Sequence, residues 1–194
     1  MAKYALIYRQ VNALVVLGKV RDASRLFKER YSIWSEGFSP VGCHNTKENS
    51  KLPEDYKLLH TQDREKEVRS LKSYDLQLEA IKKNKAFAVQ IFSKEDKLIG
   101  MLIIYLDKNS AYDGSVAVCP DYKKFYISHL LKYNAILELN KRNVKFYELG
   151  KAAISPSYNF LPTDKNYKIS FFKNGWSNNT YKKVFVAEKI FNSD

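Results

Sequence analysis

Three strand-prone runs in close succession constrain this chain more than anything else in it. Ala86–Phe92 is rich in aromatic and branched side chains, Lys94-Glu95-Asp96-Lys97 is a charged turn, and Leu98–Leu106 is a second apolar run. A turn this short joins antiparallel neighbours, so the pair reads as a hairpin with a charged tip. Asp107-Lys108-Asn109-Ser110 makes another turn, and Ala111–Cys119 alternates enough for a third strand. Pro120 then ends the ladder by removing a hydrogen-bond donor.

The chain beyond Pro120 completes a domain. Tyr126–Arg142 reads as an amphipathic helix, with Leu130, Leu131, Asn134, Ala135, Leu137, Glu138 and Leu139 on successive turns and Asn143 as its stop. Val144–Leu149 is a short strand closed by Gly150, and the polar stretch Lys151–Leu161 carries Ser155-Pro156-Ser157. A short helix is expected from Thr163 or Asp164, either of which can cap it, to about Lys173. Tyr181–Ala187 is the last strand. Upstream, residues 1–36 read as mostly helical with a break at Gly18, and residues 37–62 as an irregular linker holding Gly37, Ser39-Pro40, Gly42, Asn45 and Pro53. A charged helix is expected from Gln62 to Asn84, with Leu71, Tyr74, Leu78, Ala80 and Ile81 as its apolar stripe. The expected organisation is a helical extension and linker over residues 1–60, then an α+β domain over 61–194. That domain would have α/β/α layers around a mixed, mostly antiparallel sheet.

Charge narrows the partners. The chain of 194 residues carries 33 basic and 21 acidic side chains, a net +12, which favours anionic partners such as nucleotides, phosphorylated carriers, tRNA or a membrane surface. The same excess occurs in lysine-rich proteins with no such partner, and no helix-turn-helix or RNA-reading signature is present, so DNA is not an expected ligand. Cys43 and Cys119 lie far apart without CxxC spacing, which argues for a reducing compartment and against a disulfide framework or a zinc site. Cys43-His44 has no second ligand pair, so no metal is expected. Tyr4–Leu17 is too short to span a bilayer, is interrupted by Arg9, Gln10 and Asn12, and has no small-residue cleavage site after it. Cytoplasmic residence without stable membrane insertion is the expectation.

One cluster stands out. Phe171-Phe172-Lys173-Asn174-Gly175-Trp176 sets a cation among aromatics, as either a core corner from which Lys173 snorkels or a surface that touches something. His129 beside Ser128 cannot form a nucleophile–base pair, because neighbouring helical positions do not face each other.

The element order, with these residues, resembles the GNAT acyltransferase superfamily over roughly residues 70–190. The likeness is greatest to its FemAB-like branch of peptidoglycan-bridge aminoacyltransferases and polysaccharide-cluster acyltransferases. Four segments carry it: Lys97–Ile103, with Gly100 in the strand; Ala111–Ala117; Val144–Gly150, which ends Glu-Leu-Gly; and Pro162-Thr163-Asp164-Lys165 through Ile169–Trp176. The resemblance implies an N-acyltransferase that moves an acyl or aminoacyl group from acyl-CoA or aminoacyl-tRNA to an amine of a cell-envelope or sugar precursor. It implies a donor lying beside Val118, Cys119, Lys123, Lys124 and Phe172, with Lys173 steadying developing negative charge. Glu148 and Asp113 are then candidate bases and Tyr147 a candidate proton donor, while Phe171 and Trp176 stay in the core. CoA-using members cradle the pyrophosphate with a glycine-rich turn at a helix N-terminus. The equivalent turn here, Pro120–Tyr126, has no glycine and carries Asp121, a departure that matters less for FemAB-like proteins, which often use aminoacyl-tRNA. A homodimer is one expectation, and the larger members pair two such domains whereas this chain is long enough for only one. A catalytically silent module binding nucleotide, tRNA or a partner protein is the alternative function.

Overall fold

The computed structural model describes residues 4–16, 38–39, 52–153, 161–177 and 180–190, with backbone alone for 4–16, 38–39 and 182–190. The chain divides into two compact units, one running up to Tyr147 and the other built on the first strand and the chain from Glu148 onward.

In the first unit, four strands lie in the order β2 (Phe38–Ser39), β3 (Ala86–Ser93), β4 (Leu98–Asp107) and β5 (Ser110–Val118), each antiparallel to its neighbour. The three expected runs form β3 to β5 within a residue or two of the expected bounds. Helices α1 (Leu52–Arg64), α2 (Leu71–Lys82) and α3 (Ile127–Lys141) complete the unit. Phe87, Ile91, Ile99, Met101, Leu102, Ile103 and Ile104 are almost wholly buried, so β3 and β4 are covered on both faces. That accounts for their near-continuous apolar sequence.

Glycine decides how closely α3 approaches. A Cβ on Gly100 would stand 2.5 Å from Ile127 Cγ2 and 3.3 Å from Leu131 Cδ1, so the first turn of α3 rests directly on the β4 backbone. The β4–β5 pairing slips by one between Ile103↔Ser115 and Ile104↔Asp113, which leaves Gly114 unpaired as a bulge. Residues two apart on a regular strand share a face; across this bulge Ser115 and Asp113 point to opposite faces. Tyr56 of α1 meets Ser115 and Lys132 of α3 meets Asp113, so α1 and α3 cover the two faces, as the α/β/α reading requires.

The second unit holds β1 (Tyr4–Val16), β6 (Phe146–Lys151), α4 (Asp164–Ser177) and β7 (Tyr181–Ile190), with the division between units falling inside β6. Its strands run β6-β1-β7, and β1 pairs antiparallel with β7 from Tyr4↔Ile190 to Ala13↔Tyr181. Thr163 caps α4 reciprocally: its hydroxyl accepts from the Asn166 backbone N–H, and the Asn166 side-chain oxygen accepts from the Thr163 N–H at 2.9 Å.

Three expectations are corrected here. Residues 4–16 form a strand, not the start of a helical extension: Ile7, Tyr8, Val11, Val15 and Val16 favour extended backbone, and β7 supplies a long partner. Residues 17–37, the rest of the expected helical region, lie outside the described residues. The linker reading over 37–62 is corrected at both ends, by β2 at Phe38–Ser39 and by α1 from Leu52, and residues 40–51 lie outside the described residues. Pro53 sits in the first turn of α1, where no amide donor is needed, and Glu54 and Asp55 complement the helix dipole. The single helix expected over 62–84 is two, because Glu65 turns left-handed (φ 57°) and helix resumes only at Leu71. No described helix is long and apolar enough to cross a membrane.

Replacing Gly100 by alanine should destabilise the protein by about 1–3 kcal/mol, because the methyl must displace the buried Ile127. Urea unfolding followed by circular dichroism measures it, and an unchanged midpoint would mean that α3 lifts off β4 freely.

Candidate active site

A buried polar cluster lies between α3 and the end of the sheet in the first unit. Lys132, only 3% exposed, donates from Nζ to Asp113 Oδ2 and to the Tyr147 hydroxyl at 3.2 Å, and stands 5.4 Å from the Tyr147 ring centre. Burial pushes the Lys132 ammonium below its usual range while Asp113 opposes the shift. Burial, then the Asp113 charge, push the Tyr147 phenol well above its usual value, so it stays protonated across the physiological range. Asp113 Oδ1 is buried with no hydrogen-bond partner among the described residues. The structure thus brings two of the sequence-derived candidates, Asp113 and Tyr147, together around a cation that sequence reasoning misses. A signal for it exists: Lys132 shares its helical phase with the buried Ala135 and Leu139, and a lysine there needs a partner.

On the opposite face, the Tyr56 hydroxyl donates to Ser115 Oγ at 2.7 Å. The His60 ring stacks on Tyr56 with centres 5.6 Å apart, and its Nδ1 lies 3.0 Å from the Tyr74 hydroxyl. Burial, then Arg69 and Arg64, hold His60 below its ordinary value, and burial raises Tyr56 and Tyr74.

The candidates for donor contact in this unit lie at the end of β5 and in the turn after it. Val118 and Cys119 are buried, and the Cys119 N–H continues the ladder to the Ile99 carbonyl at 2.8 Å. Pro120–Phe125 forms a 3-10 turn, and Tyr126, left-handed at φ 57°, opens α3. Lys123 Nζ pairs with Asp63 at 2.8 Å, tying this turn to the end of α1, and Lys124 Nζ lies 5.2 Å from the Phe125 ring centre.

The remaining candidates belong to the second unit. Glu148 is half-buried on β6. Lys173 Nζ donates to the Lys151 carbonyl at 2.8 Å, which fixes its charge at the end of that strand. Phe172 meets Trp176 edge to face at 6.4 Å, and Trp176 is buried as expected. Phe171 is not core: it is 81% exposed, because the helix continues through Gly175 and turns this position outward. Ser170 Oγ accepts from the Ala153 N–H at 2.6 Å and donates to the Asn166 carbonyl, fastening α4 to the chain after β6. Beside that contact is an open groove of about 510 Å³ lined by Ala153, Tyr167, Lys168, Ser170, Phe171 and Asn174. Among the described residues no group of His, Cys, Asp and Glu is placed to hold a metal.

No protein-family model and no curated protein matches the chain. Solved structures do. The C-terminal domain of a putative lysylphosphatidylglycerol synthetase from Agrobacterium fabrum superposes with a TM-score of 0.67 at 11% identity, over 94% of this chain and 61% of that one. FemX superposes at 0.64 and 9% identity, over 89% and 59%. A tandem GNAT protein from the clavulanic acid biosynthesis pathway superposes at 0.51 and 14%, over 100% and 56%. The chain spans about three fifths of the length of these structures. At such identities the likeness is one of fold, and the fold is that of GNAT proteins and FemX.

Removing Lys132 alone should cost about 3–5 kcal/mol, since it leaves the Asp113 carboxylate buried without its cation, whereas Lys132→Met with Asp113→Leu should recover most of that loss. A double-mutant cycle by denaturant unfolding reads this, and equal losses in single and double variants would refute it. His60 sets a pH dependence of known sign. Its depressed value means that the unfolded chain binds the proton more readily, so stability should fall as pH drops through about 6.5. His60→Gln should flatten that part of the profile, and an unaltered slope would assign it to other groups.

Proposed function

We propose, taking the GNAT fold as the premise, that this chain is an N-acyltransferase whose donor is an aminoacyl-tRNA or an acyl-CoA and whose acceptor is an amine of a cell-envelope or sugar precursor. The observation that carries the reading is Lys173. A cation held on the Lys151 carbonyl at the end of β6 is suited to steady the negative charge that develops on an acyl oxygen. Glu148, on the same strand, is the candidate base.

Aminoacyl-tRNA is the favoured donor. A pyrophosphate is cradled by successive free N–H groups on a turn that lets it approach closely. Here the turn is led by Pro120, has no glycine and carries Asp121, while Lys123 is engaged with Asp63. The net +12 suits a polyanion, and the likeness to FemX and to a putative lysylphosphatidylglycerol synthetase covers nearly the whole chain. A second reading, a catalytically silent module, is favoured by one observation: Asp113 and Tyr147 are sealed in the core with Lys132.

Purified protein should transfer label from aminoacyl-tRNA to amine acceptors faster than from acetyl-CoA, and Lys173→Ala should lower kcat by about a hundredfold. Turnover unchanged in Lys173→Ala would remove its assigned role. A folded protein that binds neither donor in calorimetry would overturn the acyltransferase reading, and one that binds a donor without ever transferring its label would support the silent module instead.

A further inference from the structure

We infer that the outer face of α4 docks the protein on an anionic lipid surface. The side chains that a soluble protein hides are here presented outward: Phe171 on α4 and Leu161, three residues before the helix, are each 81% exposed and Tyr167 is 41% exposed. Tyr167, Lys168, Phe171 and Gly175 recur at helical spacing and form one stripe. A Cβ on Gly175 would meet nothing within 4 Å, as expected of a face that no element among the described residues covers.

The chemistry of the stripe selects its occupant. Aromatic and leucine side chains flanked by lysines suit the boundary between headgroups and acyl chains, where rings sit at headgroup level and ammonium groups meet phosphates. Lys165 and Lys168 are both exposed on this helix, and the whole chain carries +12. A second copy of the chain fits less well. A symmetric contact would bring each copy's lysines towards those of the other, and like charges at close range oppose association. The groove beside the stripe points the same way. It is lined by the Tyr167 and Phe171 rings and by Lys168, and also by Asn174, whose side-chain oxygen is buried with no hydrogen-bond partner among the described residues. An anionic glycerophospholipid supplies complements to the exposed groups: an acyl chain for the rings and a phosphate for Lys168. This is docking on a bilayer, not spanning it, and agrees with the lack of a membrane-crossing helix among the described residues. It does not depend on acyl transfer, and its test needs no turnover.

Sedimentation with vesicles decides it. The protein should pellet with phosphatidylcholine vesicles containing phosphatidylserine, remain in the supernatant with phosphatidylcholine alone, and be released by salt. Phe171→Ser and Lys168→Glu should each weaken binding by about tenfold, the first by losing buried ring area and the second by reversing a charge near the phosphates. Leu58→Ser, at an exposed leucine of α1, should bind as the parent does. Circular dichroism confirms that each variant is folded. The inference is overturned if the folded protein ignores anionic vesicles or binds both kinds equally. It is also overturned if Phe171→Ser binds undiminished, or if Phe171→Ser only converts a dimer to a monomer in sedimentation equilibrium, which would assign the face to a second copy.

Discussion

A single unpaired residue organises the polar interior of the first unit. Gly114 has no partner on β4, and through it Ser115 and Asp113 reach opposite faces of the sheet. Ser115 then meets the Tyr56 hydroxyl on α1, and one carboxylate oxygen of Asp113 meets the Lys132 ammonium on α3. Without the bulge both residues would crowd one face, and a buried cation would remain on the other with no anion near it. Glycine also leaves room for a neighbour: a Cβ there would stand 2.4 Å from the Tyr105 ring, so a larger residue would have to move that ring aside. Burying a charge without a partner costs far more than a bulge does, so the local irregularity is the cheaper arrangement.

The second constraint is the approach of α3 to β4 at Gly100. Close contact there places Lys132 deep enough to lose water, which is why its charge depends so heavily on Asp113. The same helix begins directly after the Pro120 turn, and Lys123 of that turn is anchored on Asp63 of α1. The turn expected to carry donor contacts is therefore fastened to both helical layers through packing and one ion pair.

Much of this architecture is legible in the sequence, and for physical reasons. Short turns admit only antiparallel neighbours, so β3 to β5 follow from Lys94–Lys97 and Asp107–Ser110, and the periodicity of residues 126–142 announces α3. The first strand escapes because Tyr4–Val16 mixes apolar and polar residues without a clean period, and its structure is decided by β7, far away in sequence. Pro53 misleads because proline breaks a helix everywhere except its first turn. The candidate site is legible residue by residue but not as a constellation. Asp113 and Tyr147 are identifiable as acid and phenol near strand ends, yet only the bulge, which no pattern in the sequence announces, turns Asp113 towards Lys132. Phe171 reads as interior because Phe171-Phe172 has the composition of core. A helix that runs on to Ser177 gives adjacent residues different faces, and only Phe172 turns towards Trp176.

The bulge also bears on which register of the β4–β5 hairpin the covering helices can accept. A two-residue connection, Lys108-Asn109, lets β4 and β5 meet early, and a hairpin of mostly apolar strands can zip up one step out of register. Such a slip would present the Asp113 carboxylate to Tyr56 and the Ser115 hydroxyl to Lys132, stranding two charges on opposite sides of the sheet. Neither α1 nor α3 could then dock without burying an orphan. The slipped register is thereby penalised wherever the helices pack, and a local irregularity in pairing ties the alignment of two strands to both helical layers.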